Sequence, residues 1–406
     1  MPVPPLRILT FLHSFEPGGV EKVALRLATA WQDARAEVRV VLGRAEGAMR
    51  TGAPALDYEV LQTGSFSTAW CETLWMSVKL PAAVRRYRPN VIFCAGNTYA
   101  IVAIVLRLAL GNECPPIVMK VSNDLVRRDM PRPLRWLYRR WLEVQGAWID
   151  AFVGIAAPMR SEMREAFRIP DNRIRIVNDP AIDNGDIGQL FARRREAVRR
   201  HSGVRYLAVG RLVAQKNFAL LIEAFADIAS AQDRLTILGE GPQRRALERL
   251  AQRLGVGDRV ALPGHGDTLD WLTDADVFVL SSVFEGVPAV VVEALAAGLP
   301  IVATDCSVSM SSLLDEGRLG TLVPVGDRTA LAQAMAKPLA ACPSCCRMQA
   351  SHFTIERAAP QYLAALGQIA GRPVAGRRLD TSVTTRCAAC RVSRRLDAET
   401  QRLKNA

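Results

Sequence analysis

Short apolar runs alternate with longer amphipathic stretches along most of this chain, and that alternation leaves few folds open. Arg7–His13 is too short for a buried helix and reads as a strand. Glu21–Trp31 carries the helical period, and Ala36–Gly43 is again strand-like. Asn90–Ala95, Pro116–Val121 and Ala151–Ile155 read as further buried strands, with helices over Thr73–Tyr87 and Arg132–Trp148. Buried strands separated by helices are joined by crossovers and therefore lie parallel, so the expected class is α/β.

The alternation breaks over Asn178–Gly188, where Asn-Asp-Pro and Asp-Asn-Gly crowd together as turn signals, followed by a basic run from Arg193 to His201. It restarts with strands expected at Tyr206–Val209, Leu235–Leu238, Val260–Leu262, Val277–Leu280 and Ile301–Thr304. A length of 406 residues also suits two domains. We therefore expect one over 1–185 and a second over 186–370, two doubly wound Rossmann-like units facing each other across a cleft. In such sheets ligands bind beyond the carboxyl ends of the strands. From residue 371 the chain is rich in Arg, Thr and Ser without an apolar period, and 371–406 reads as a mobile basic tail.

Half of the residues are hydrophobic and the net charge is +12, which suits a globular protein with phosphorylated or anionic partners. Nucleic acid is not expected among them, because no nucleic-acid-binding module is legible. No stretch is long and apolar enough to span a bilayer, and Met1–Leu12 has neither a long apolar core nor a small-residue cleavage site, so the expected location is cytoplasmic. The nine cysteines then read as reduced thiols. Cys342, Cys345 and Cys346 cluster, and Cys387 with Cys390 forms a second CxxC, but the two pairs lack zinc-ribbon spacing, so no metal site is expected.

Four loops follow predicted strands. Pro17-Gly18-Gly19-Val20-Glu21-Lys22 lets the backbone approach a ligand and offers free N–H groups at a helix start, although a Gly-Gly turn is also simply a turn. Gly210-Arg211-Leu212 with Lys216-Asn217 places two cations in one loop, suited to a diphosphate or else left as solvated surface charge. Gly239-Glu240-Gly241-Pro242 reads as turn chemistry. The most informative stretch runs from Ser282 to Pro300: Pro288 suits a helix start, Gly298 the position past its end, and the helix between is apolar except for Glu293. A carboxylate there needs a partner or a job. Glu285 stands eight positions earlier in the preceding loop.

Together these loops resemble glycosyltransferase family 4, the retaining group 1 glycosyltransferases of GT-B fold. The resemblance rests on Gly18-Gly19-Val20-Glu21, Gly210-Arg211-Leu212 with Gln215-Lys216-Asn217, Gly239-Glu240-Gly241-Pro242, and the spacing of Glu285 and Glu293, the family's E-x7-E motif. Asp276 and the run from Gly320 to Asp327 fit the same pattern. It covers roughly residues 6–368 and is stronger in the second half. It implies a hexosyl transfer from a nucleotide-diphosphate sugar, such as a UDP- or GDP-sugar, without a metal or other cofactor. Arg211 and Lys216 would neutralise the leaving diphosphate, Glu293 would hold the ribose hydroxyls and Glu285 the transferred sugar. Backbone N–H groups around Gly286 and Val287 would bind sugar hydroxyls, and Gly18 and Gly19 would admit the phosphates. Relatives carry a histidine after the strand equivalent to Pro116–Val121; here the segment reads Lys120-Val121-Ser122-Asn123-Asp124, leaving Ser122, Asn123 or the distant His13 for that place.

The segment Arg132–Trp148 puts Leu134, Leu137, Tyr138, Trp141, Leu142, Val144 and Trp148 on one arc and several arginines opposite. We expect the arc to pack on its own sheet, leaving a basic face towards an anionic inner-membrane surface. Resemblance to surface-polysaccharide and lipopolysaccharide enzymes implies a glycan or lipid-linked acceptor. The competing readings are a phosphorylase or epimerase of the same fold, or a catalytically dead carbohydrate-binding relative.

Overall fold

The computed structural model describes residues 5–371 apart from 17, 48, 63–71, 123–124, 128–129 and 197–201. The expected tail from 372 onward, Cys387 and Cys390, and Asn123 lie outside the described residues.

The first sheet holds seven parallel strands: β1 (Arg7–Leu12), β2 (Glu37–Leu42), β3 (Asp57–Val60), β4 (Val91–Cys94), β5 (Ile117–Val121), β6 (Ala151–Gly154) and β7 (Ile174–Ile176). Their order is 3-2-1-4-5-6-7, so the chain reverses direction of growth between β1 and β4. Strands β4, β5 and β6 are buried along their whole length, as a parallel sheet covered on both faces requires. Helices α1 (Gly19–Asp33), α2 (Glu72–Tyr87), α3 (Ala100–Leu110), α4 (Arg132–Trp148) and α5 (Met159–Phe167) make the crossovers.

Helix α6 (Asn184–Glu196) leads into the second sheet, which has β8 (Arg205–Val209), β9 (Arg234–Leu238), β10 (Val260–Gly264), β11 (Val277–Leu280), β12 (Ile301–Thr304) and β13 (Thr321–Val323) in the order 10-9-8-11-12-13. All of its pairings are parallel as well, and its reversal point lies between β8 and β11. Its helices are α7 (Phe218–Ile228), α8 (Arg244–Arg253), α9 (Thr268–Asp274), α10 (Ala289–Ala296), α11 (Met310–Leu313), α12 (Arg328–Ala336) and α13 (Pro343–Ala350). Asp267 caps α9 by accepting from Leu269 N at 3.0 Å, and Asp327 caps α12 by accepting from Ala330 N at 2.9 Å. Gly298, at φ +65°, ends α10 in the conformation expected of it.

The turn-rich segment near residue 180 is one of two strands of chain passing between the sheets. The other precedes the last helix, α14 (Ile355–Ile369), which returns to the first sheet. Trp31 on α1 donates from Nε1 to Ala359 O at 3.1 Å, and Tyr362 meets Phe93 edge-on with centroids 5.8 Å apart. Ala181 N donates to Phe353 O at 3.0 Å, so the two crossings lie side by side. Lys120 on β5, almost fully buried, pairs with Asp179 at 2.6 Å and ties the first crossing to the first sheet.

Helix α4 meets only in part the expectation that its apolar arc packs inward: Leu142, Tyr138 and Trp141 do so and the rest of the arc does not. Only Leu142, Gln145 and Gly146 are buried. Leu134 is 50 %, Trp136 57 % and Leu137 57 % exposed, and Val144 and Trp148 are exposed as well. The helix is held through the close approach of Gly146 to Phe167 at the end of α5, where a Cβ would overlap the backbone. That anchors its last turns, while Tyr138 and Trp141 pack, partly buried, against the core.

Candidate active site

The two reversal points face each other, and the loops singled out in sequence gather there. After β8 the chain turns through Gly210, whose φ is +159° and whose absent side chain leaves room for Lys216 Cε. Residues Ala214–Lys216 form a single helical turn, and Asn217 takes a left-handed conformation before α7. The loop after β11 is stitched to this turn: Gln215 Nε2 donates to Phe284 O at 2.9 Å, Val283 N to Gln215 O at 2.8 Å, and Ser281 Oγ to Lys216 O at 2.8 Å.

The stitching brings Lys216 onto Glu285. Lys216 Nζ lies 2.5 Å from Glu285 Oε1, and Ser282 Oγ donates to the same oxygen at 2.7 Å. Glu285 is 8 % exposed, so its charge is met by a fixed cation and a hydroxyl. Arg211 is exposed with no partner among the described residues, which leaves its guanidinium open to a ligand anion. Gly286 and Val287 are buried directly after Glu285 and lead into α10.

Glu293 sits on α10, with its Oε2 buried and without a hydrogen-bond partner among the described residues. Burial pushes its carboxyl up to about 7, moderated by Arg26 and Lys22 of α1 across the cleft. A buried carboxyl oxygen left without a partner on a helix beside the cleft is a vacant acceptor for a hydroxyl.

From the first domain, Gly18 is the N-cap of α1 and Gly19 its first residue. A side chain at Gly18 would overlap the Glu21 carboxylate, which folds back over it, whereas Gly19 faces open space. Glu21 is held there by Tyr99, whose hydroxyl donates to its Oε1 at 2.6 Å. Burial, with Glu21 beside it, raises the Tyr99 phenol far above its ordinary range, so it stays a donor. His13 packs on the Tyr99 ring with centroids 4.7 Å apart, and burial lowers its pKa against the opposing pull of Glu72 and Glu21.

The domains touch at this point. A Cβ on Gly286 would overlap the carbonyl oxygen of Ser122, and Arg127 lies over the Phe284 ring at 4.3 Å. Ser122 thus occupies the place after β5, with its Oγ buried and without a partner among the described residues and its N–H donating to Asn97 Oδ1 at 3.0 Å. The structure therefore brings together Lys216, Glu285, Gly286 and Val287 in one domain, and sets Gly18 and Gly19 at the end of the facing sheet. Sequence reasoning gave no site role to Ser282 or Tyr99, and it placed Arg127 on a basic membrane-facing surface, whereas its guanidinium lies over the Phe284 ring. Ser282 alone had a local signal, three positions before Glu285 at the end of a predicted strand. Gly239 and Gly241 pack on the Gly210–Leu212 backbone, and Leu212 N donates to Glu240 O at 2.8 Å, in keeping with a turn that supports the loop. Among the described residues no three His, Cys, Asp or Glu side chains cluster as metal ligands.

Comparison with known proteins follows the division into two sheets. Residues 17–180 match the model of Glycosyltransferase Family 4, and residues 203–341 that of Glycosyl transferases group 1. The lipopolysaccharide core biosynthesis glycosyltransferase LpsE of Rhizobium meliloti is 38 % identical over 130 residues, 32 % of this chain and 37 % of that protein. The N-acetylgalactosamine-N,N'-diacetylbacillosaminyl-diphospho-undecaprenol 4-alpha-N-acetylgalactosaminyltransferase of Campylobacter jejuni is 34 % identical over 130 residues, 32 % of this chain and 35 % of that protein. The chain thus spans about a third of the length of these curated relatives. Anabaena HepE, solved in complex with UDP and glucose, superposes with a TM-score of 0.72 at 18 % identity, over 89 % of this chain and 100 % of that one. With a matching model on each domain and a shared two-sheet architecture, the chain belongs with the group 1 glycosyltransferases of GT-B fold.

Proposed function

We infer that the protein transfers a sugar from a nucleotide-diphosphate sugar to a lipid-linked or polysaccharide acceptor, with retention at the anomeric carbon and without a metal. The observation that carries the reading is the Lys216–Glu285–Ser282 cluster at the reversal point of the second sheet, opposite the start of α1. Breaking a glycosyl phosphate bond leaves negative charge on the diphosphate. Arg211, Lys216 and the N–H groups at the start of α1 are fixed positive ends for that charge. The unpartnered Glu293 oxygen suits the ribose hydroxyls. Because the Glu285 carboxylate is already engaged by Lys216 and Ser282, it suits orienting the sugar better than attacking it. Retention would then follow from front-face attack, the leaving phosphate taking the acceptor proton.

A lipid-linked acceptor is favoured by the surface of α4. Its exposed Leu134, Trp136, Leu137 and Trp148, with exposed Arg132, Arg139 and Arg140, form an apolar and basic surface suited to anionic lipid at the cytoplasmic membrane face. Among the described residues no helix is long and apolar enough to cross a membrane, so contact would be peripheral. The acceptor named for the Campylobacter relative, an undecaprenol diphosphate glycan, points to the same class.

The test is transfer by EDTA-treated protein from a panel of nucleotide sugars to polyprenyl-diphosphate glycans, with the anomeric configuration of the product read by NMR. A retained configuration with full activity in EDTA is expected. An inverted product, or activity restored only by a divalent ion, would overturn the corresponding part of the reading.

A further inference from the structure

Helix α13 opens on Cys342-Pro343-Ser344-Cys345, with Cys346 next in line. Cys342 is the N-cap, Pro343 the first helical residue, and Cys345 lies in the first turn. The Cys342 thiol is directed at the Cys345 sulfur, 2.6 Å away. Two sulfurs so placed across a helix start can be joined with little backbone movement. The same helix start offers partial positive charge to a thiolate at Cys342.

The cysteines differ in access. Cys342 is partly exposed, whereas Cys345 and Cys346 are buried. Burial pushes the Cys346 thiol up to about 11, which keeps it protonated and unreactive. The outer sulfur can therefore meet a reagent, and the inner one, in contact with it, can resolve the product.

We propose that Cys342 and Cys345 are a dithiol modification site whose reaction partner is a low-molecular-weight disulfide. The Cys342 thiolate attacks one sulfur of the reagent. The reagent S–S bond breaks, one reagent thiolate leaves and takes up a proton, and a mixed disulfide stands on Cys342. Cys345 loses its proton to solvent and attacks the Cys342 sulfur, and the second reagent thiolate leaves and is protonated. The protein gives up two electrons as its dithiol becomes a disulfide, and the reagent gains two as it becomes two thiols.

The site lies at a junction. Helix α13 packs on α10, and Pro343 sits against Gly298, where an added Cβ would come within 3.0 Å of Pro343 Cβ. The chain then runs through Ser351–Phe353 into the second crossing between the domains. Oxidation would therefore tether the first turn of the helix joining α10 to that crossing.

The experiment equilibrates the full-length protein in glutathione and glutathione disulfide mixtures of graded ratio, traps remaining thiols by alkylation, and maps them by peptide mass. The expected result is joint loss of alkylation at Cys342 and Cys345 in one two-electron transition, with Cys346 still alkylated. Cys345→Ser should trap one glutathione on Cys342, and Cys342→Ser should leave Cys345 unmodified. A persistent mixed disulfide in the wild type, joint loss involving Cys346 instead of Cys345, or full alkylation of the pair at the most oxidising ratio would overturn the proposal. Circular dichroism of each variant checks that it is folded.

Discussion

Lys216 Nζ and Glu285 Oε1 lie 2.5 Å apart, joining the loop after β8 to the loop after β11 at the reversal point of the second sheet. Both side chains are largely buried, so the pair both holds the two loops together and sets the charge of the cleft. Lys216→Ala is expected to lower sugar transfer by roughly 10²–10³-fold, the usual cost of one fixed donor to a developing anion. Far-ultraviolet circular dichroism should be unchanged. Near-normal transfer would remove Lys216 from the site.

The pair's structural share can be separated from its chemical one. Lys216→Met leaves the Glu285 carboxylate buried without its cation, at a cost of up to about 3 kcal/mol. Adding Glu285→Gln removes the stranded charge. The double variant should regain most of the lost denaturant midpoint while transfer stays abolished. Additive losses of stability would show that the two groups are not coupled.

Glu293 makes a pH-dependent prediction. Its folded pKa, about 7, lies above the ordinary carboxyl value of 4.5, so between these the folded chain holds more protons than the unfolded one. The contribution to stability is therefore complete below about pH 4.5 and is lost as pH rises through 7, amounting to at most about 3 kcal/mol. Glu293→Gln should flatten this decline, giving a variant at least as stable as wild type at pH 8 yet weakened in donor binding. Wild-type donor affinity should strengthen as pH rises through 7, because the ribose hydroxyls donate to the ionised carboxylate. Parallel pH-stability curves for the two proteins would contradict this assignment.

Gly286 meets the Ser122 carbonyl across the cleft with no room for a side chain. Gly286→Ala should therefore hold the domains apart, lowering transfer at least about tenfold through loss of water exclusion and alignment. Small-angle scattering should report a larger radius of gyration than wild type in the presence of nucleotide. An unchanged radius with unchanged transfer would mean the contact is incidental.

Helix α4 supplies a prediction about surfaces. Wild type should sediment with anionic vesicles at low salt, and Trp136→Ala with Leu137→Ser should release it without changing thermal stability, since both side chains are exposed. Retention of the variant on vesicles, or no retention of the wild type, would remove α4 as the contact.

The alternation of apolar runs and helices was sufficient to read the α/β class and ten of the thirteen described strands, most clearly β4, β5, β6, β11 and β12, which are buried along their whole length. The short β3, β7 and β13 escaped, since each is only partly buried and lacks a continuous apolar run. The return of α14 to the first sheet was equally hidden: the seat of an amphipathic helix depends on Trp31, Phe93 and Ala359 meeting from distant parts of the chain. In the site, Glu285, Glu293, Lys216 and Arg211 were legible because glycine, proline and apolar neighbours frame them in sequence. Ser122 was legible only as one of three candidates for the place after β5, and Tyr99 not at all, because their contacts to Gly286 and Glu21 come from other elements. The apolar arc of α4 shows the opposite failure: periodicity located the face, and only tertiary contacts could tell that much of it stays uncovered.

The most direct test of the donor site is a thermal-shift screen in EDTA against UDP, GDP, ADP, TDP and CMP and their sugars, run on wild type and Lys216→Ala. The account predicts that one nucleoside diphosphate raises the wild-type melting temperature and that the shift disappears in the variant. Equal shifts in both proteins, or no shift with any nucleotide, would contradict it.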